Sequence, residues 1–256
     1  MAELAFVGLG LGDERGLGAR AMDLMRRADR VFAEEYTAVA PAGTLDRLAA
    51  AIGRPVRRLD RAAVEAETEL LDALARGSTV VLLTVGDPFS ATTHVALRLA
   101  AERAGHRWSY VPNASILTAA PGFLGLMPYR FGRVVSLPFP TPGFEPTSPL
   151  GHLASNRSRG LHTLLLLDLK PEEGRFLTAG EALSIVRARD PTGEVVPEEA
   201  PVAVAARVGR DDAAGFFGPF ARLRSVDFGP PMHAVVVPAP DLHFEESAAL
   251  ARFRVA

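Results

Sequence analysis

The 256-residue chain contains no cysteine and no glutamine. Without cysteine there can be no disulfide, no thiolate nucleophile and no cysteine-ligated metal. Such a chain suits a reducing compartment, and a cytoplasmic location is expected. Lysine occurs once, as Lys170, and asparagine twice, as Asn113 and Asn156. The positive charge is therefore almost all arginine, a bias that heat adaptation and GC-rich codons explain equally well. No apolar run approaches the about 20 residues of a membrane-spanning helix. Met1-Ala2-Glu3-Leu4 lacks the basic stretch of a secretory leader. The net charge of −2 gives no footprint for indiscriminate nucleic-acid binding. The histidines are scattered without metal-ligand spacing, so no metal is expected.

Apolar residues make up 48% and charged residues 23%, the proportions of a globular chain long enough for one or two domains. The first half alternates short apolar runs with helical periodicity. Strands are expected at Leu4 to Val7, Val31 to Ala33, Val80 to Thr84 and Arg107 to Val111. Helices are expected through Ala21–Ala28, through Leu45–Ile52 (stopped by Gly53) and, as one element, through Val64–Leu74 (stopped by Gly77). Arg26-Arg27 and Arg57-Arg58 read as solvated helix or loop faces. This alternation argues for parallel βαβ units. Beyond a boundary near residue 112, Ser115 to Ala120 opens a helix. A loop with Pro138, Pro140, Pro142, Pro146 and Pro149 follows. Leu161 to Leu167, Val202 to Val208 and Ala234 to Val237 read as strands, Ala179 to Val186 as a helix, and Asp211 to Gly218 as a turn. The expectation is two α/β domains, 1–112 and 113–256, the second with a mixed sheet.

Two loops draw attention. Gly86-Asp87-Pro88-Phe89-Ser90-Ala91-Thr92-Thr93-His94 directly follows a strand buried on both faces. It sits at the carboxyl edge of a sheet, where open α/β folds bind ligands. Thr92 and Thr93 are candidate caps for a helix showing Val95, Ala96 and Leu99 on one face. Gly8-Leu9-Gly10-Leu11-Gly12-Asp13 invites a dinucleotide reading, with Glu34 or Glu35 downstream. That pattern fails, because the third glycine position is Asp13 or Arg15 and an acid there opposes a pyrophosphate. A glycine-lined edge without phosphate chemistry suits a ligand such as S-adenosylmethionine (SAM). Glu34, Glu35 and Tyr36 could face a cation or lie at the surface. His162 opens a buried strand and reads as a satisfied core histidine. His233, after Phe228-Gly229-Pro230-Pro231-Met232, is a binding candidate or a structural cap. No Ser-His-Asp arrangement is present.

Taken together these segments resemble the archaeal diphthine synthases, a branch of the tetrapyrrole-methylase superfamily. The stretches that carry the resemblance are Gly8 to Leu11 with Asp13-Glu14-Arg15, Phe32-Ala33-Glu34 with Tyr36-Thr37, and the Gly86 to His94 loop. They continue with Ser115-Ile116, Arg159 to Leu165, Asp168-Leu169-Lys170, Phe228 to Pro231 with His233, and Val237-Pro238 with Leu242-His243. The resemblance implies two α/β domains with SAM in the cleft between them, usually in a homodimer, and S-adenosylhomocysteine as product. It implies methylation of the amino group on a 3-amino-3-carboxypropyl-histidine of translation elongation factor 2, giving diphthine. Carried over, the SAM contacts are Leu11, Asp87, Ser90, Ser115, Ile116, Leu167, Val208 and His233. Ser90 and Val208 depart from the usual residues, and Pro238-Ala239-Pro240-Asp241 replaces a Pro-Gly turn. No general base is named; Asp87 and water are the candidate proton acceptors. Alternatives are a same-fold methyltransferase acting on a corrin precursor or ribosomal RNA, a non-catalytic SAM-binding module, and a nucleotide-dependent oxidoreductase.

Overall fold

The computed structural model describes residues 2–141, 143 and 147–255. Pro142 and Pro146 of the proline-rich loop lie outside these residues. The chain divides into two compact units, Met1–Ser115 and Ile116–Ala256.

The first unit runs β1 (Glu3–Gly10), α1 (Ala19–Arg27), β2 (Arg30–Glu34), α2 (Thr44–Ile52), β3 (Val56–Leu59), α3 (Arg61–Ala66), α4 (Thr68–Ala75), β4 (Thr79–Val85), α5 (Val95–Arg103) and β5 (Arg107–Val111). Its sheet has the order β3-β2-β4-β1-β5, and every pairing is parallel. Alternate strand residues serve opposite faces, as the pleat requires. Ala5, Val7, Val81 and Leu83 pack with Met25, Leu45 and Leu48 on one side. Leu4, Phe6, Val80 and Leu82 pack with Leu70, Leu74 and Leu97 on the other. Burial on both faces explains why β1 and β4 read as unbroken apolar runs.

Several elements differ from the sequence expectation. Val64 to Leu74 is two helices, because Glu67 adopts φ +60° and ends the first. Arg57 and Arg58 belong to β3, an edge strand, where they pair with Glu69 and Glu35. The inner face of α5 is Leu97, Ala100 and Ala101, while Val95 and Leu99 are exposed at 43% and 39%. The two threonines do not cap α5. Its first cap position is His94, and the Thr92 hydroxyl donates instead to the Pro88 carbonyl.

The second unit runs α6 (Ile116–Leu124), β6 (Val135–Leu137), α7 (Ser148–Ser158), β7 (Thr163–Leu167), β8 (Leu169–Lys170), β9 (Arg175–Phe176), α8 (Ala179–Arg189), β10 (Pro201–Ala206), β11 (Ala214–Pro219), α9 (Phe220–Leu223), β12 (His233–Val237) and α10 (Phe244–Ala251). Its main sheet, β11-β10-β12-β7-β6, is antiparallel except for the β6–β7 pair. Val204, Val235 and Leu165 face α7, α8 and α9, and Ala205, Val236 and Leu164 face α6 and α10. Ala214 to Pro219 is a strand rather than part of a turn. Its Gly215 is where the ring of Phe253 packs, at 2.4 Å from any added Cβ. Strand β10 stops at Ala206, short of Val208, because Arg207 turns to φ +52°.

Candidate functional site

In the first unit β1 and β4 lie side by side, but their connections leave in opposite directions. The chain leaves β1 across β4 toward β2, and leaves β4 across β1 toward β5. Such a switch point opens a crevice at the carboxyl ends of the strands, the place where open α/β sheets take ligands. Three segments meet there: Gly8–Leu11 at the end of β1, Gly86–Ser90 after β4, and Asn113–Ser115 after β5.

Their local structure is fixed by backbone and amide bonds. Gly10 and Gly86 exchange both backbone hydrogen bonds, at 3.0 and 2.8 Å, each with positive φ. A Cβ on Gly8 would lie 2.7 Å from both Asn113 Cβ and the Gly86 carbonyl oxygen. The glycines thus serve loop-to-loop packing; the space beside Gly8 and Gly10 is filled by Asn113. That asparagine donates from Nδ2 to the carbonyls of Gly8 (2.9 Å) and Gly16 (3.2 Å).

Asp87 is 6% exposed. Its Oδ1 accepts from Phe89 N (3.0 Å) and the Ser90 hydroxyl (3.1 Å). Its Oδ2 accepts from the Tyr110 hydroxyl (2.5 Å) and Asn113 N (3.2 Å). Four donors match the four lone-pair sites of a carboxylate. Burial first, and then the bond to Asp87, push the Tyr110 phenol up to about 12. Phe89 seats the loop, its ring 4.9 Å from Phe6 and 5.0 Å from Tyr110. Leu11 and Ser90 are half-buried beside this network, and Ser115 is buried. Sequence reasoning singled out Asp87 and Ser90, which the structure joins by a hydrogen bond, and did not single out Tyr110 or Asn113. The only signal for the amide was the rarity of asparagine in this chain.

Glu34 neither faces a ligand nor lies at the surface, as either sequence reading required. It is fully buried and folds back on its own turn, accepting from Tyr36 N (3.1 Å), Thr37 N (3.1 Å) and the Thr37 hydroxyl (2.6 Å). Burial raises its carboxyl above the ordinary range. Tyr36 is buried too, and Glu35 is tied to Arg58. A buried acid must be hydrogen-bonded, and here the donors come from its own turn.

In the second unit His233 opens β12 and is 8% exposed. Its Nδ1 accepts from Ala179 N (3.2 Å) at the start of α8, which assigns the ring proton to Nε2. That Nε2 has no hydrogen-bond partner among the described residues. Burial is the main cause lowering its pKa. The preceding loop is held by Arg207, whose Nη1 donates to the carbonyls of Phe228 (3.0 Å) and Pro230 (2.6 Å). Ile116, Leu167 and Val208 are half-buried, at the start of α6, the end of β7 and just past β10. His162 is a fully buried core histidine, as its setting suggested. Its Nδ1 accepts from Ala239 N (2.8 Å) and its Nε2 donates to Glu246 (2.9 Å). His243 caps α10, accepting from Glu245 N. Among the described residues no group of histidines and acids could hold a metal. No helix among them is long and apolar enough to cross a membrane.

Comparison with known proteins gives these observations a setting. The profile of the tetrapyrrole (corrin/porphyrin) methylases matches residues 3–224. Diphthine synthase of Methanococcus maripaludis is 36% identical over 249 residues, covering 96% of this chain and 97% of the relative. That of Methanoregula boonei is 40% identical over 252 residues, 98% of each. A crystal structure of diphthine synthase superposes with TM-score 0.89 at 34% identity, covering 98% of this chain and 96% of that one.

Proposed function

The chain belongs to the diphthine synthase branch of the tetrapyrrole (corrin/porphyrin) methylases, which makes it a SAM-dependent methyltransferase, and on that premise we propose its substrate and the residues that serve the reaction. The acceptor is the amino group of the 3-amino-3-carboxypropyl-histidine of translation elongation factor 2, and the product is diphthine. The enzyme acts in the cytoplasm, where that factor works, as a homodimer. The observation that carries the reading is the Asp87 loop at a sheet switch point, in a chain matched along nearly its whole length by diphthine synthases.

SAM, when bound, supplies an activated methyl group on a sulfonium leaving group. The residues fit such a cofactor. The Nε2–H of His233 is a buried donor without a well-formed hydrogen bond among the described residues, the carbonyls of Phe228 and Pro230 being its neighbours. An aromatic ring nitrogen or a carboxylate would satisfy it. Leu11, Asp87, Ser90 and Ser115 in the first unit, and Ile116, Leu167, Val208 and His233 in the second, are the proposed contacts.

The chemistry asks little of the protein beyond geometry. Bound there, SAM would give its methyl carbon to the amine lone pair, the S–C electron pair leaving on sulfur as S-adenosylhomocysteine. Holding nitrogen, carbon and sulfur in line can supply ~7–11 kcal/mol. The amine must first lose its proton. Asp87 is not the acceptor, since its lone pairs are already occupied by four protein donors. The proton goes to water. Asp87 is instead the anchor that fixes the loop whose backbone meets the cofactor.

The test is to incubate the protein with SAM and archaeal elongation factor 2 bearing the modified histidine, then weigh the target peptide. Three added methyl groups are expected. No mass change on a factor that another diphthine synthase methylates would overturn the substrate and direct the search to corrin or RNA acceptors.

A further inference from the structure

The loop after β4 ends in His94, a residue that the cofactor contacts do not use. It is 1% exposed. Its Nδ1 lies 2.9 Å from the carbonyl oxygen of Pro88. A carbonyl only accepts, so Nδ1 carries the proton and donates. Its Nε2 is then an acceptor, and the Tyr36 hydroxyl faces it at 3.4 Å. Glu34 Oε1 is 3.9 Å from the same nitrogen, too far for a hydrogen bond. Tyr36 in turn carries the Arg61 guanidinium over its ring, 4.9 Å from the centroid. Burial lowers the pKa of His94, which keeps the ring neutral in this tautomer.

The consequence lies one residue away. Pro88 follows Asp87 directly, and its carbonyl also receives the Thr92 hydroxyl. Between them Ala91 adopts φ +61°, a left-handed conformation that strains a non-glycine residue. A loop with such a residue persists only if its surroundings hold it. Asp87 holds the loop from its amino end and His94 from its carboxyl end.

We propose that His94 is a positioning residue of the methyltransferase: its Nδ1–H, placed there by the Pro88 carbonyl that accepts it, clamps that carbonyl and so sets the Asp87–Ser90 backbone for the cofactor, while the Tyr36 hydroxyl faces the bare Nε2. The proposal rests on the reading of this loop as a SAM site. It differs from a bland packing role in depending on one ring nitrogen rather than on the ring's bulk.

Asparagine and glutamine separate the two nitrogens. An asparagine amide can occupy the Nδ1 position, and a glutamine amide the Nε2 position. Binding of S-adenosylhomocysteine is measured by calorimetry for the native protein, His94→Asn and His94→Gln, with thermal midpoints alongside. His94→Asn is expected to bind within about twofold of the native protein, and His94→Gln about tenfold more weakly, the weight of one hydrogen bond. The KM for SAM follows the same order, with kcat at saturation changed by less than about twofold, as loss of uniform binding requires. Native binding with equal affinities for the two variants overturns the role of His94 alone. Failure of the native protein to bind overturns the SAM reading and the clamp with it. Should His94→Gln not fold, the ring ¹⁵N shifts of the native protein decide: a protonated Nδ1 and bare Nε2 at neutral pH support the clamp, and the opposite tautomer overturns it.

Discussion

The Tyr110 hydroxyl donates to Asp87 Oδ2 at 2.5 Å, joining the ends of two strands that do not pair with each other. Strand β1 lies between β4 and β5, so the bond bridges the mouth of the switch point. Removing it with Tyr110→Phe leaves the ring packing on Phe89 and deletes one of the four donors to Asp87. A loss of about 1–3 kcal/mol in unfolding free energy is expected, the cost of an unsatisfied buried acceptor. S-adenosylhomocysteine binding should weaken in parallel. The phenol gives a second readout. Because its folded pKa is raised, its contribution to stability is complete below the ordinary tyrosine value of about 10 and is lost as pH rises through about 12. Tyrosinate absorbance gained around pH 12 should fall in Tyr110→Phe.

Asp87→Asn tests the anchor itself. An amide offers one acceptor oxygen to the four donors, and its NH₂ group opposes at least one of them. Cofactor affinity is expected to drop by tenfold or more, with kcat at saturating SAM little changed, because Asp87 acts through the loop and not on the proton. Asp87→Ala should lose more in both affinity and stability. A variant with native affinity for SAM would remove Asp87 from the site. A pH–rate profile that lost its acidic limb in Asp87→Asn would make it the base after all.

The two asparagines, conspicuous only by their scarcity, each act as an amide clip. Asn156 is fully buried, accepts from Arg133 N (3.0 Å) and donates to the Arg133 carbonyl (2.8 Å) and the Thr163 hydroxyl (3.0 Å). Gly132 packs directly on it: an added Cβ would lie 2.2 Å from its Oδ1. Gly132→Ala must push the amide out of place, so a destabilisation of about 1–3 kcal/mol is expected by the overpacking mechanism. Gly18→Ala, where nothing lies within 4 Å, is the control; it loses only a glycine at the first cap of α1 and should change the unfolding free energy by under about 1 kcal/mol.

Strands β1 and β4 were legible because burial on both faces leaves a continuous apolar run, and the Gly86–His94 loop was legible because such a run must end at a sheet edge. The edge strand β3 was not, since exposure lets it carry Arg57 and Arg58. Nor was β11, whose glycines read as a turn until Phe253 is seen against Gly215. The partners of Asp87 were hidden for a topological reason. Tyr110 and Asn113 come from a strand end 23 and 26 residues away, and no local pattern marks them. Which face of α5 is buried was not legible because its apolar residues fall on more than one side. Truncation separates the sides: Leu97→Ala should cost about 2–5 kcal/mol as a core cavity, and Leu99→Ala, on the exposed side, under about 1 kcal/mol.

Three buried histidines weaken the fold in acid. His94, His162 and His233 all have pKa values lowered, with burial the leading cause. For His162 the Glu246 carboxylate opposes that effect without reversing it. In the unfolded chain each titrates near the ordinary value of about 6.5. Below it the unfolded state binds more protons than the folded state, so stability rises with pH there. The contribution is complete above about 6.5 and is lost as pH falls through the lowered folded values. The geometry gives the cost a structure. A proton on Nδ1 of His162 or His233 would displace the backbone N–H of Ala239 or Ala179 that now donates there. A proton on Nε2 of His94 would meet the Tyr36 hydroxyl. The urea midpoint should therefore fall steadily from pH 7 to pH 5. The fall should be shallower in His233→Gln, which retains polar bulk but takes up no proton. The buried Glu34 carboxyl, whose pKa is raised, acts in the opposite direction, so the comparison with His233→Gln decides: a fall no shallower in that variant would remove His233 from the acid response.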